Sequence, residues 1–481
     1  MHWFVTGVFV VGELAGGGLV ALPTAITQSG FVIGIITLLI MTGIFTYTAY
    51  ILGQCWIILQ RNWPEYRVHC RKPYAEISYR AIGRKFKILV SVCINITQFG
   101  ISVVFLLLAS KNICDFIKAF FNHDISFCWV IVAVAVALFP MLILKSPEEF
   151  WWAGIIAMCT TSCAVILICI GSIRDYHTCS QGREFPQFKI SNYFVALGTI
   201  LFAYGGHPVF PTIQHDMKKP HHFTRSAIQA YTILTFMYLP ASILGSLTYG
   251  DSLRDSVINS LQTQWIQSAV NIFITLHVIF TLIIMFNPMN QEVEEMLGVP
   301  QEFGIWRIVS RGGVLAAAVL IAETVPKFGP MLNLVGASTM TLTSAFFPAV
   351  FYLYLTAREV KAEQKSGYPD KNLIDETPSY RDIIKYNSKL TLVLCATVIV
   401  IGLVGGGGAT YSAISELINT NPELPCYIRP FFPDKVGKHE GAAAIASHTN
   451  CCGMWQNISR STDIKCNEPF DFYNQGLFKN A

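Results

Sequence analysis

The sequence predicts an all-α integral membrane protein with eleven transmembrane helices, and three observations carry that prediction. Of 481 residues, 53% are hydrophobic and only 13% are charged, whereas soluble domains run at about 25% charged. Gaps between charges repeatedly exceed the roughly 20 residues that cross a hydrocarbon core, which excludes a water-soluble fold. Two of the apolar segments are also interrupted. Phe4 to Pro23 carries Glu13 followed by Gly16, Gly17 and Gly18, and Phe194 to Pro211 carries Tyr204, Gly205, Gly206, His207 and Pro208. Glycine clusters followed by proline weaken helical hydrogen bonding where the bilayer offers no replacement, so unwound backbone survives there only beside a cavity. A matched pair of broken spans, one near the start and one near mid-chain, points to inverted repeats around a central substrate site.

The spans fall at about 3–25, 31–59, 87–109, 128–145, 150–173, 193–213, 227–249, 263–286, 307–323, 331–356 and 388–411. The first resembles a signal peptide in length. It lacks a basic leading region, carries Glu13 in its apolar stretch and runs straight into the second, so it reads as a span. Because the chain begins almost inside this span, a further cytoplasmic segment ahead of it is an expectation. The third span holds Asn95, Thr97 and Gln98. Asn95-Ile96-Thr97 matches a glycosylation sequon, yet at membrane depth it is not expected to be used. The eighth span adds Asn271, Thr275 and His277, and polar residues of this kind glue helices together as often as they bind ligands. Gly405 to Gly408 in the eleventh span have no paired break and no ionisable neighbour, which reads as packing or span termination.

Orientation follows from Lys and Arg in the loops. Arg61, Arg67, Arg71, Lys72, Arg80, Arg84, Lys85 and Lys87 crowd 60–87, and Arg358, Lys361, Lys365, Lys371, Arg381, Lys385 and Lys389 crowd 357–389. Both loops are expected in the cytoplasm. With eleven spans this puts the N-terminus in the cytoplasm and the tail 412–481 outside or in a lumen, with a plasma or vesicular/lysosomal membrane as its place. The tail carries Cys426, Cys451, Cys452 and Cys466, an even set suited to an oxidising compartment, and the sequon Asn457-Ile458-Ser459. Asn457 is the expected glycosylation site. Cys93, Cys159, Cys163, Cys169 and Cys395 lie in spans and read as apolar packing residues, and Cys55 and Cys70 lie towards the cytoplasm. Cys114, Cys128 and Cys179 fall near the outer face, where a disulfide is possible and spacing fixes no pairing.

Three stretches resemble the amino acid/auxin permease family. Gly16-Gly17-Gly18-Leu19-Val20-Ala21-Leu22-Pro23 looks like its first-span motif, and Phe202-Ala203-Tyr204-Gly205-Gly206-His207-Pro208 through Gln214, with Met217, Lys218 and Pro220, resembles its sixth span more closely. Pro326-Lys327-Phe328-Gly329 to Gly336-Ala337 is similar to the start of its tenth. The resemblance covers roughly 1–411. It implies two five-span repeats of opposite orientation at about 3–173 and 193–356 followed by an eleventh helix, and secondary transport of amino acids or related amines, often coupled to protons and sometimes to sodium. The cysteine-containing tail is not part of the shared pattern, and Glu13 is unusual beside the first break.

The chemistry of such a site can be read from the residues themselves. A zwitterionic amino acid needs donors for its carboxylate, and free N–H groups at half-helix N-termini supply them. Gly16, Gly17 and Gly18 let backbone approach a ligand closely, although three glycines also permit tight helix packing. Glu13 at membrane depth costs on the order of 3 kcal/mol unless protonated, paired or hydrated, which suggests a proton carrier, a counter-charge for the substrate amine or a cap on the broken backbone. His207 reads as a titrating or substrate-bonding imidazole, or as a neutral prop for the unwound segment. Tyr204, Gly205, Gly206, Asn95, Asn271 and Thr275 complete the candidate substrate site, with Glu13 and His207 as coupling residues. No cofactor or metal is implied beyond a coupling proton or sodium ion. The partners are a small amino-acid substrate and the lipid bilayer, and nothing resembles a nucleic-acid-binding stripe.

Three other classes are weighed against transport. An amino-acid sensor on the same fold would be marked by a long N-terminal segment, which is not seen here. A channel would show a filter or ring-forming repeat, and none is present. An enzyme is least consistent with the sequence, which holds no G-x-S-x-G, H-E-x-x-H or P-loop pattern.

Overall fold

The structure is a computed structural model that describes residues 1–68, 70, 72–121, 123, 125–143, 151–300, 302–366, 375–419, 424–431, 451–453 and 458. Its helices are α1 (Trp3–Leu14), α2 (Gly17–Gln28), α3 (Phe31–Asn62), α4 (Pro73–Ala81), α5 (Arg84–Phe121), α6 (Phe127–Leu142), α7 (Trp151–Cys179) and α8 (Ile190–Tyr204). There follow α9 (Phe210–His215), α10 (Phe223–Tyr249), α11 (Gln264–Met296), α12 (Ile305–Thr324), α13 (Phe328–Val335), α14 (Phe347–Ser366), α15 (Tyr380–Tyr386) and α16 (Lys389–Asn419). Among the described residues nine helical segments are long and apolar enough to cross a membrane, and α1 with α2 forms a tenth that is bent by 62°. The apolar α6 has only 16 residues and stands where the fourth span is expected.

Peripheral helices bury one stripe and expose another apolar one. On α3, Val32, Ile36 and Ile40 are exposed one turn apart, whereas Leu38, Met41, Phe45, Leu52 and Cys55 are buried. That is a helical apolar face turned inwards with a second apolar face outwards, as a bilayer requires. Cys159 and Cys163 are exposed on α7, so they belong to the outer surface of the bundle, unlike the buried Cys55, Cys93 and Cys395. Several helices outlast their apolar runs. α5 continues past 109 through Lys111 and Lys118, α7 past 173 through Arg174 and Asp175, and α16 past 411 through Glu416. Hydropathy reports the thickness of hydrocarbon, whereas the helix ends only where its backbone hydrogen bonding ends. Gly406 and Gly408 of α16 are packing residues, for a Cβ on Gly408 would lie 2.6 Å from the Phe194 ring and one on Gly406 3.0 Å from Ala337 O, whereas a Cβ on Gly407 would meet nothing within 4 Å; the helix runs on through all four to Asn419, so the cluster does not terminate the span.

The two ends of the bundle differ in chemistry. One, the basic face, gathers the charged loops: Arg61 pairs with Glu359 at 3.0 Å, Lys72 with Glu295 at 3.1 Å, Lys361 with Asp382 at 3.0 Å, and Trp63 Nε1 donates to Asp375 at 3.0 Å. The Lys361 ammonium, with Ser379, holds the Asp382 carboxyl down at about 2. Deeper on this side Arg311 of α12 is fully buried, with Nε donating to Glu294 at 2.6 Å and Nη1 to Leu142 O at 2.7 Å, which ties α11, α12 and the end of α6. The opposite, tail face is joined covalently. Disulfides link Cys128 at the start of α6 to Cys426, and Cys179 at the end of α7 to Cys452. Cys426 N also donates to Glu323 O at the end of α12. The tail therefore binds together helices that are nearly 300 residues away in sequence, with separations of 298 and 273 residues.

Two disulfides that close loops of this length restrict the unfolded chain strongly, by about 2–5 kcal/mol each in ordinary cases. Non-reducing peptide mapping should recover Cys128 joined to Cys426 and Cys179 joined to Cys452. The Cys128→Ser/Cys179→Ser variant should unfold several degrees lower in detergent than the wild type. An unchanged midpoint, or other pairings in the map, would remove the tail from the account of stability.

Candidate functional site

Both interrupted spans break where the glycines stand. α1 ends at Leu14, the chain passes through Ala15 and Gly16, and α2 starts at Gly17. Across this bend Ala15 N donates to Val11 O at 2.8 Å and Gly16 N to Leu14 O at 2.9 Å. The first turn of α2 leaves N–H groups without intrahelical acceptors at the positive end of its dipole. α8 ends at Tyr204, Gly205 and Gly206 are unwound, and a single 3₁₀ turn over His207–Val209 leads into α9. Pro208 and Pro211 account for the restart, since neither supplies an N–H to continue α8.

The two breaks meet. A Cβ on Gly18 would lie 2.6 Å from Ala203 Cα, and one on Gly206 2.5 Å from Leu14 Cδ2. Gly205 is equally crowded, by Met340 Sδ, and Gly16 by His277 Nε2 at 2.6 Å. Gly17 is the least confined of the first three, with the edge of the Phe105 ring at 3.0 Å. These glycines serve close approach between half-helices as well as the bend itself. The crowding of Gly205 comes from a third irregularity, because the tenth span widens into π-type turns over Gly336–Met340 and Leu342–Phe346, with Ser338 at φ −88°, ψ −107°. Such turns concentrate at functional sites, and the run of small residues Gly336, Ala337 and Ser338 is its only trace in the sequence.

Glu13 lies in the last turn of α1, is buried, and its Oε1 has no hydrogen-bond partner among the described residues. His207 is fully buried between Phe45 and Phe210, with ring centroids 5.5 and 4.8 Å away. Its Nε2 is 2.9 Å from Thr48 Oγ1, whose own proton goes to Phe45 O at 3.1 Å, so Nε2 donates and Nδ1 is left as an acceptor without a donor. Tyr204 is buried at the end of α8 with its hydroxyl 2.8 Å from Thr42 Oγ1 of α3. These residues, with the five glycines, form one constellation. Asn95, Asn271 and Thr275 do not join it. Asn95 lies ten residues before Phe105 on α5, about 15 Å along the axis at 1.5 Å per residue. Asn271 is a turn and a half from His277, where it donates to Asn112 O at 3.0 Å. Thr275 is two residues from His277 and so points to another side of α11. Asn457 lies outside the described residues.

Three further residues stand at the breaks: His277, already noted among the polar residues of the eighth span, and two tyrosines that are not conspicuous in the sequence. His277 of α11 is fully buried against Gly16; its Nδ1 is 3.1 Å from Ala157 O and 2.8 Å from Thr161 Oγ1. A carbonyl only accepts, so Nδ1 is assigned the proton and Nε2 is the acceptor, facing Gly16 with Thr281 Oγ1 3.3 Å away, a hydroxyl that also lies 2.9 Å from His277 O. On α10, Tyr238 OH lies 3.1 Å from Leu14 O and 2.9 Å from Ala203 O, and Tyr231 OH donates to Tyr204 O at 3.2 Å. The carbonyls left over at the ends of α1 and α8 are thus met from one neighbouring helix. Two tyrosines seven residues apart share a helix face, which is the signal that could have found them. A separate polar chain crosses α8, α13 and α16: Thr199 Oγ1 donates to Asn333 Oδ1 at 2.5 Å, and Asn333 Nδ2 to Glu416 Oε2 at 3.2 Å.

Comparison with known proteins agrees with this architecture. The sequence pattern of the family described as transmembrane amino acid transporter protein matches residues 1–374. Amino acid transporter AVT1H of Arabidopsis thaliana is 30% identical over 354 residues, covering 72% of this chain and 79% of that protein. Amino acid transporter ANT1 of the same plant is 23% identical over 374 residues, covering 74% and 85%. Among solved structures, the Eremococcus coleocola manganese transporter in complex with an aromatic bis-isothiourea substituted compound superposes with a TM-score of 0.50 at 11% identity, covering 88% of each chain. That likeness speaks for the fold alone. With a match that spans most of its length and two interrupted spans meeting at their glycines, the chain belongs to the family of transmembrane amino acid transporters.

Proposed function

We propose that the protein is a secondary active transporter that moves an amino acid or a related amine by alternating access, with a proton as the coupling ion and Glu13 as its carrier. The observation that carries the reading is Glu13 Oε1, buried beside the first break without a hydrogen-bond partner among the described residues. A charged carboxylate in such a place is costly unless a proton, an ammonium or water joins it. The first-turn N–H groups of α2, at Gly17 and Gly18, are the donors for a substrate carboxylate. His277 and His207 flank the two breaks as further proton-accepting groups. The names of the Arabidopsis relatives support amino acids as cargo.

The same reading assigns the eleven-span arrangement, with repeats at about 3–173 and 193–356, an eleventh helix at 388–411, the basic face in the cytoplasm and the tail outside or in a lumen. The two disulfides at the tail face support it, because disulfides persist in oxidising compartments. An epitope at the C-terminus should be reached by antibody without permeabilising the cytoplasmic side. Glycosidase should shift the wild type and leave Asn457→Gln unshifted. Labelling of the epitope from the cytoplasmic side alone reverses the orientation.

Substitutions at the first break separate ligand contact from packing. Gly17→Ala meets only a ring edge, so folded protein at the membrane should stay near wild type while uptake falls about tenfold or more. Gly18→Ala drives a Cβ into the α8 backbone and should lower the amount of folded protein itself. Equal losses of protein and uptake in Gly17→Ala would favour packing as its sole role.

Coupling is tested on Glu13→Gln in proteoliposomes. Uptake by the wild type should rise as pH falls on the tail side, because protonation there loads the carrier and the membrane potential favours inward movement of the added charge, at about 2.3 kcal/mol per charge per 100 mV. The variant should bind substrate and exchange it, yet lose accumulation driven by the pH gradient. Accumulation equal to wild type would exclude Glu13 as the carrier, and a strict sodium requirement would replace the proton.

A further inference from the structure

The carbonyls at the two breaks share a single donor. Tyr238 OH lies 3.1 Å from Leu14 O at the end of α1 and 2.9 Å from Ala203 O at the end of α8. The residue is fully buried, with its ring set edge-on to Tyr204 at a centroid distance of 5.4 Å. A hydroxyl has one proton, and a carbonyl can only accept. The two half-helix ends therefore compete for the same hydrogen bond. Leu14 O has a second donor, Gly16 N at 2.9 Å, so it can release the hydroxyl without being left bare. The helix that carries the tyrosine has Pro240 two residues on, where the regular ladder lacks an N–H.

From this geometry we infer that Tyr238 is a positioning residue that holds the two breaks in register, so that displacement of either one alters the hydrogen bonding of the other. When α1 draws away, the proton passes wholly to Ala203 O and tightens the end of α8; when α8 draws away, it passes to Leu14 O. A coupling of this kind is reciprocal, as any coupling between two sites must be. Tyr231 is the natural comparison. It sits two turns earlier on the same helix, is equally buried, and donates only to Tyr204 O at the second break. The inference deepens the transport reading and rests on it only for what the coupling does to substrate.

The test is hydrogen–deuterium exchange on the purified full chain in nanodiscs, comparing wild type, Tyr238→Phe and Tyr231→Phe. Both substitutions keep the ring and remove one hydroxyl. Tyr238→Phe should speed exchange about fivefold, the size expected for loss of one net hydrogen bond, at Ala15, Gly16 and Leu19 and equally at Gly205 and Val209. Tyr231→Phe should speed it at Gly205 and Val209 alone. A rise confined to one break in Tyr238→Phe, or a rise spread evenly over α5 and α11 as well, overturns the inference. In uptake measurements Tyr238→Phe should raise the substrate concentration for half-maximal uptake by a similar factor, with the maximal rate per surface molecule changed less; an unchanged value also overturns it. If the wild type carries no amino acid, the transport reading fails, and the exchange pattern still decides the role of Tyr238.

Discussion

The constraint on which the rest depends is that backbone polar groups at membrane depth have no water to fall back on. An unbroken helix meets it by itself. Two interrupted spans leave acceptors at the ends of α1 and α8 and donors at the start of α2, and each must be met by protein or by cargo. The acceptors are met by α10 through the hydroxyls of Tyr231 and Tyr238. The donors at the start of α2 have no intrahelical acceptor. That asymmetry gives the breaks their chemistry: with the carbonyls of Leu14, Ala203 and Tyr204 occupied, first-turn N–H groups that lack an intrahelical acceptor favour an anionic group, such as a carboxylate, over a cationic one.

Holding the breaks close requires the glycines, and the same glycines limit how the half-helices can move. Gly18 lets α2 rest on the backbone of α8 at Ala203, and Gly206 admits Leu14 from α1. The remainder of the bundle is tied more firmly. Arg311 joins α11, α12 and α6 through a buried ion pair and a carbonyl, and the tail disulfides join α6 and α7. The result is a frame cross-linked at one face and ion-paired towards the other, around two half-helix pairs that touch through glycine, an arrangement compatible with the alternating access proposed above.

How much of this is legible in the sequence follows from the range of each interaction. The breaks and most of the spans are local in sequence, and hydropathy with glycine and proline placement finds them; which of Gly405 to Gly408 pack, Gly406 and Gly408, depends on where Ala337 and Phe194 lie in space. Helix ends are missed by up to twelve residues on α5, because a helix can leave the hydrocarbon without ending. His277, Tyr231 and Tyr238 act on other helices, over separations that run from 27 residues for Tyr231 with Tyr204 to 224 for Tyr238 with Leu14, and their own segments do not say which groups they meet. The partners of Cys128 and Cys179 are hidden for the same reason. A pairing of sulfurs is a fact about where helix ends lie in space, and spacing along the chain carries none of it.

Glu13 can be judged against three other acids of the fold, of which Asp175 and Glu294 are buried and Glu416 is half-buried. Asp175 accepts from Tyr249 OH at 2.7 Å and Gln262 N at 2.8 Å. Glu294 receives Arg311 at 2.6 Å, and Glu416 receives Asn333 at 3.2 Å. Each has a permanent donor, as a buried carboxylate kept for architecture should. Glu13 stands in the last turn of α1, one residue from the Leu14 carbonyl that Tyr238 meets, yet its Oε1 has none. A carboxylate that served only to cap the broken backbone would be expected to take one of the N–H groups beside it. An oxygen with no fixed donor among the described residues is what the proposed role of proton carrier requires, whereas a purely structural acid is expected to have one.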